Sequence, residues 1–454
     1  MCEIGKSAYR GPEVLYPQPF GIITAASEKD YPVDLSHFTI LGTAVGAVGV
    51  EADSDVATFE KVDVETAIGV DKSLKLKLPF VIPGMGSTNV AKQNWEGLAK
   101  GAAISGVILT VGENVCAMDD ESEIKDGRIV RSPDMENRVG YYKEWQDGYG
   151  TVAIQANVED TRLGVQEYVI EKLGVEAVEL KWGQGAKDIG GEVKIKNLKK
   201  AQELYKRGYI VLPNPEDPNV IRAFERGTFK EFERHSRLGM VEEEAFMARV
   251  EELRKAGAKY IFLKTGAYRP VDLARAVKYA SKAKLDLLTV DGAGGGTGMS
   301  PWRMMNEWGI PSVEIWSLLY EYLKKLDEKG EFIPDVCAAG GITFEDQIYK
   351  TLALGAPYFK AVGMARSPLA AAMVGKTIGK RIKDDQIPVY VERFGNKIDE
   401  IFVTATELRN EYGDRFDELP TGAIGVHGYF ARLNQGLRQL MAGNRKFKLE
   451  YITR

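Results

Sequence analysis

Eight short β-rich runs recur along this chain from about residue 79, separated for the most part by longer stretches of helical periodicity. The runs are Pro79–Gly84, Gly106–Val111, Val152–Ala156, Ala177–Lys181, Lys259–Lys264, Asp286–Val290, Asp335–Ala339 and Tyr358–Val362. Helical patterns occupy Val90–Ala103, Thr161–Leu173, Glu242–Ala256, Pro270–Ala283, Val313–Lys329, Phe344–Leu354 and Ser367–Ile382. Near-continuous apolar runs suit strands that are covered on both faces, as parallel strands are. The expected fold is therefore α/β, a parallel (β/α)8 barrel of the TIM type, with a doubly wound open sheet as the alternative.

The rest of the chain arranges itself around that core. Residues 1–78 read as an N-terminal extension packed on a barrel of residues 79–382, and residues 383–454 as a helical cap. The connection after Lys181 is long: Lys194–Arg207 reads as helical, and an insertion at about 208–240 follows, with prolines at 213, 215 and 218. In the cap, Lys397–Tyr412 and Tyr429–Ala442 read as helices.

Composition excludes several classes. Sixty Lys and Arg against 65 Asp and Glu leave a net charge of −5, and the sequence pI is about 5.6, so no basic nucleic-acid surface is expected. The longest apolar stretch, Leu35–Val50, is broken by Ser36, His37 and Thr39 and is too short to span a bilayer. With no apolar core near Met1, the expected compartment is the cytoplasm. Three cysteines (Cys2, Cys116, Cys337) and three histidines (His37, His235, His427) lie too far apart for metal-ligand spacing, so no metal site is expected. Any demanding chemistry would come from an organic cofactor.

A parallel barrel places its site at the C-terminal ends of the strands. After the sixth run stands Asp291-Gly-Ala-Gly-Gly-Gly-Thr-Gly298, after the seventh Gly340-Gly341, and after the eighth Gly363-Met364-Ala365-Arg366. Glycine turns at the last two strands are where such barrels hold a phosphate. Ala370–Thr377 imitates a nucleotide P-loop but falls inside a helical pattern. Lys181 and Lys264 stand at strand ends, where a lysine is costly to desolvate unless it meets an anion.

These motifs together resemble the FMN-binding synthase domain of the glutamate synthase family over about residues 79–382. The resemblance is carried by Glu179-Leu-Lys-Trp-Gly-Gln-Gly-Ala-Lys187 with Gly190-Gly191, by Asp291–Pro301, by Ala339–Ile342 and by Gly84-Met-Gly-Ser87. It implies FMN as cofactor, and a reaction in which ammonia and 2-oxoglutarate give 2-iminoglutarate that is reduced from flavin N5. By motif, Met85, Gly86 and Ser87 would lie near the flavin and Lys264 near its N1–C2=O side. Gly294, Gly295, Gly296, Thr297 and Gly298 would surround flavin and phosphate together with Gly340, Gly341, Gly363, Met364, Ala365 and Arg366. Glu113 would be the active-site glutamate, with Gln184 and Lys187 facing the oxo-acid and Lys187 expected across the substrate from Glu113 as its catalytic partner; Lys181, at its strand end, is expected to bind substrate as well.

Three departures qualify what is implied. Only about eighty residues precede the barrel, with no glutaminase domain behind Cys2, and Gly375–Arg393 lacks the family's iron–sulfur cysteines. Ammonia or an amine, and electrons, would then come from a separate ammonia-supplying subunit or reductase, and a homo-oligomer is expected. Glu192 stands where the family has a glutamine, and a carboxylate there favours an amine over a second carboxylate. The readings that follow are an FMN-dependent oxidoreductase on C–N bonds, an N-substituted glutamate synthase subunit, or a flavin-bearing subunit without catalysis.

Overall fold

The computed structural model of the chain describes residues 23–24, 27–183, 192–237, 239–296 and 300–454. Eight strands close a barrel in chain order: β1 (Phe80–Met85), β2 (Ile108–Val111), β3 (Thr151–Ala156), β4 (Ala177–Lys181), β5 (Tyr260–Thr265), β6 (Leu287–Asp291), β7 (Asp335–Ala339) and β8 (Phe359–Gly363). Every neighbouring pair is parallel, including β8 with β1 and β4 with β5 across the long insertion. Each strand begins and ends within about two residues of its sequence run, because an apolar run buried on both sides has few other places to go.

The outer ring comprises α1 (Asn89–Ile104), α2 (Pro133–Lys143), α3 (Val165–Leu173), α4 (Glu243–Lys255), α5 (Pro270–Lys282), α6 (Ser312–Asp327), α7 (Glu345–Gly355) and α8 (Arg366–Lys383). The pattern at Thr161–Leu173 is two helices, not one: Gly164, at φ 69°, ends Val158–Leu163 before α3 starts. Residues 370–377 lie inside α8, so the P-loop imitation is helix interior. The helix expected at Lys194–Arg207 is shorter, Leu198–Lys206, because 192–195 form a strand. That strand, Ile210–Leu212 and Phe232–His235 make an antiparallel sheet with Phe232–His235 in the middle.

Beyond α8, the expected helix Lys397–Tyr412 divides into Ile398–Ile401 and Ala405–Tyr412, and the last helix, α9 (Thr421–Gly443), starts eight residues earlier than its apolar pattern. It packs against α1 and α8 through small residues. A Cβ on Gly375 would come within 2.5 Å of Thr421 O, and one on Gly101 within 2.6 Å of Val426 Cβ.

At the other end, a hairpin of Thr66–Ile68 and Leu74–Leu76 plugs the barrel's N-terminal opening. Ile68, Leu74 and Leu76 join Val81, Ile108, Ala153, Ala177, Tyr260, Phe262, Leu287, Cys337 and Ala361 in one apolar cluster inside the barrel. No helix among the described residues is long and apolar enough to cross a membrane.

Candidate active site at the barrel mouth

Above that apolar layer the barrel interior turns polar. Side chains alternate along a strand, so Ala177 in the apolar layer puts Glu179 and Lys181 on the same inner face of β4. By the same count Lys264 follows Tyr260 and Phe262 on β5, and Asp291 follows Leu287 and Thr289 on β6. Glu179, Lys264 and Asp291 are all buried.

These charges form pairs. Lys181 Nζ donates to Glu113 Oε2 at 2.5 Å, both side chains being less than a tenth exposed. Lys264 Nζ lies 3.3 Å from Asp291 Oδ2. Glu179 accepts from Gln155 Nε2 on β3 and feels both lysines. Burial raises the Glu179 carboxyl above the usual range and lowers the Lys181 ammonium, although Glu113 draws the latter back up. Burial also opposes charge on Lys264, but Asp291 and Glu179 outweigh it and hold its pKa above the ordinary value. Three acids and two bases thus line one well, and oppositely charged neighbours keep buried ions from being prohibitive.

Glu113 sits on a turn pressed tight against the end of β1. A Cβ on Gly86 would fall 2.2 Å from Glu113 O, and one on Gly112 2.5 Å from Gly86 N. Met85 and Gly86 therefore meet the Glu113 turn backbone to backbone. Arg138 of α2, stacked on Trp95 at 4.6 Å, donates to Gly86 O at 3.0 Å and steadies the same loop.

The glycine loops after β6 and β7 also interlock. Ser312, opening α6, donates to Gly340 O at 2.6 Å, and a Cβ on Gly292 or Gly340 would meet its Oγ at 2.3 or 2.4 Å. Gly294 and Gly341 are likewise backed onto each other. Close packing of loops thus accounts for several glycines that the sequence alone offers as ligand contacts. A cavity of about 240 Å³ opens beside Gly294, Gly340 and Gly341 and is lined also by Tyr31, Val33 and Leu35. After β8, α8 begins without a side-chain cap, and Ser367 in its first turn stands beside Tyr429. Gly363 and Met364 precede that helix inside the barrel wall, while Arg366 is exposed.

Of the residues named from sequence, Glu113 and Lys181 meet directly, and Lys264 lies in the same well. Gln184, Lys187, Thr297 and Gly298, like Cys2, lie outside the described residues. Glu192 stands on the insert sheet, opposite His235 in register. Sequence reasoning missed Gln155 and Glu179. The signal was available, since a Glu and a Lys two apart in an otherwise apolar strand must share a face. Among the described residues no cluster of His, Cys, Asp and Glu could hold a metal ion.

The profile of the conserved region in glutamate synthase matches residues 23–202 and 232–375. The chain belongs to the glutamate synthase family. A curated relative, the glutamate synthase large subunit-like protein YerD of Bacillus subtilis, is 28% identical over 186 residues, which are 40% of this chain and 32% of YerD. The match thus spans about a third of that relative's length. Among solved structures, a double mutant of flavocytochrome b2 with pyruvate bound aligns with a TM-score of 0.51 at 14% identity, over 92% of this chain and 75% of that one. That likeness is one of barrel fold.

Proposed function

We propose that this member of the glutamate synthase family is an FMN-dependent oxidoreductase that moves a hydride between flavin N5 and the carbon of a C–N bond. Its oxidised substrate would be 2-iminoglutarate or a related imine. The observation that carries the reading is the buried Glu113–Lys181 pair at the mouth of the barrel. A carboxylate held beside an ammonium in a dry site can accept or return the proton of a substrate nitrogen.

The residues present fit the cofactor. The uncapped α8 terminus and the backbone of Gly340, Gly341 and Gly363–Arg366 suit its phosphate. Lys264 would stand at the N1–C2=O side, with Met85, Gly86 and Ser87 and the Gly294–Gly298 loop around the ring and ribityl chain. When bound, FMN supplies the hydride acceptor and donor. The chain's own groups do the remaining work: Glu113 manages the proton, and Lys181, Gln184 and Lys187 hold carboxylate oxygens. Glu192, where the family carries glutamine, favours a second reading in which an N-substituted amine replaces ammonia. Ammonia, amine or electrons would arrive from separate proteins.

The test is anaerobic. The purified chain should release FMN on denaturation, and L-glutamate should bleach the bound flavin. Glu113→Gln should keep its flavin and bleach about 10²-fold more slowly. Flavin that neither L-glutamate nor its N-alkyl derivatives reduce would point to a non-catalytic subunit, and a chain without FMN would overturn the reading.

A further inference from the structure

Glu113 is followed by a residue whose backbone is unusual for its type. Asn114 has φ 63° and ψ 10°, the left-handed region. Its N–H donates to Asp160 Oδ2 at 2.9 Å, and its side-chain oxygen accepts from Arg234 Nη1 at 3.0 Å and Asn157 Nδ2 at 3.3 Å. Two separate segments thus converge on the residue that aims Glu113: the helix at Val158–Leu163 with its N-cap Asn157, and the middle strand of the insert sheet.

Arg234 is the odd member. It is 1% exposed and lies over the Tyr209 ring at 5.0 Å, and the charges of Glu113, Asp160 and Glu159 act on it without a direct ion pair among the described residues. Its hydrogen-bond acceptors are neutral, the Asn114 amide and the Ser236 hydroxyl at 3.3 Å, and its Nε has no partner. A buried guanidinium satisfied this poorly weakens a fold, and an apolar side chain would serve packing better. Its geometry makes sense as a brace. Two flanking strands pair with it in register, at Val193 and Val211, so its guanidinium is delivered from a fixed base.

We propose that Arg234 is a positioning residue for Glu113, acting through Asn114, so that the insert sheet sets the reactivity of the barrel mouth. The inference rests on the proposed role of Glu113. It makes the insertion part of the active-site machinery: what moves the sheet moves the carboxylate.

Two variants test it in the full chain. Arg234→Met removes the brace. Asn114→Gly severs the same link, keeps the N–H to Asp160 and suits a positive φ, so it covers the case in which Arg234→Met fails to fold. In both, hydrogen–deuterium exchange of residues 112–118 should quicken about tenfold while flavin content stays parental. The maximal rate of flavin reduction by L-glutamate should fall about ten- to a hundredfold, with the half-saturating concentration within about threefold of the parent. Unchanged exchange and rate in Asn114→Gly would overturn the inference. If Glu113→Gln itself reacts like the parent, the proposed function fails instead, and the exchange measurement alone still decides whether Arg234 holds the turn.

Discussion

Asp160 shows how a single buried oxygen can make stability depend on pH. Its Oδ2 accepts from Asn114, whereas its Oδ1 is buried without a partner. Burial, helped by the charge of Glu113, pushes its pKa up to about 7 from 3.8. Between those two values the folded state binds the proton and the unfolded chain does not. The fold is therefore unaffected by this group below pH 3.8 and loses stability as pH rises toward 7. Asp160→Asn should remove that loss: relative to the parent, its melting temperature should improve by several degrees between pH 4 and pH 8. A pH-independent difference in thermal melts would show that Asp160 is ionised throughout. The two lysines were singled out as candidates because they end apolar runs, and Glu113 because its Gly112-Glu-Asn114 turn resembles the family's motif. Asp160 and Arg234 were not, since nothing local says that residues 120 or 46 positions from Asn114 will bond to it.

At the scale of elements, the seam between α8 and α9 turns on which glycines have neighbours. Gly375→Ala would gain about 1 kcal/mol of helix propensity, but its methyl would sit 2.5 Å from a backbone oxygen that cannot swing away. Net destabilisation of about 1–3 kcal/mol is expected, whereas Gly443→Ala, with nothing within 4 Å, should be neutral or better. Chemical denaturation of the two variants checks both signs. Legibility followed similar lines. The barrel strands were plain from hydrophobic runs, but α2 was not, because only Met135, Arg138, Val139 and Tyr142 of its eleven residues are buried and its apolar stripe is thin. The hairpin Glu123–Lys125 with Arg128–Arg131 was also missed: its Asp126-Gly127 turn is a strong signal, yet the flanking strands are short and charged. The insert sheet joins 192–195 to 232–235, a pairing that no window of neighbouring residues contains.

For the molecule as a whole, the two ends of the barrel do different work. At the plugged end Asp335 binds Lys72 Nζ through both oxygens, at 2.6 and 2.5 Å, and accepts from Gly69 N at 3.0 Å. Asp286 receives Val70 N and Ile261 N in the same region. Asp335→Ala should leave the Gly69 amide without its partner and cost about 1–3 kcal/mol. Because the apolar layer separates plug from mouth, flavin content and reactivity should be untouched at temperatures where the variant is folded. Loss of flavin before unfolding would mean that the two ends communicate.

The plug also governs traffic. With its floor sealed by Ile68, Leu74 and Leu76, the barrel is a blind well, and whatever is transformed over Glu179 and Lys264 must leave by the opening through which it came. A departing molecule and an arriving one then compete for one doorway, and the slowest step of a cycle can be the clearing of that doorway rather than the making or breaking of a bond.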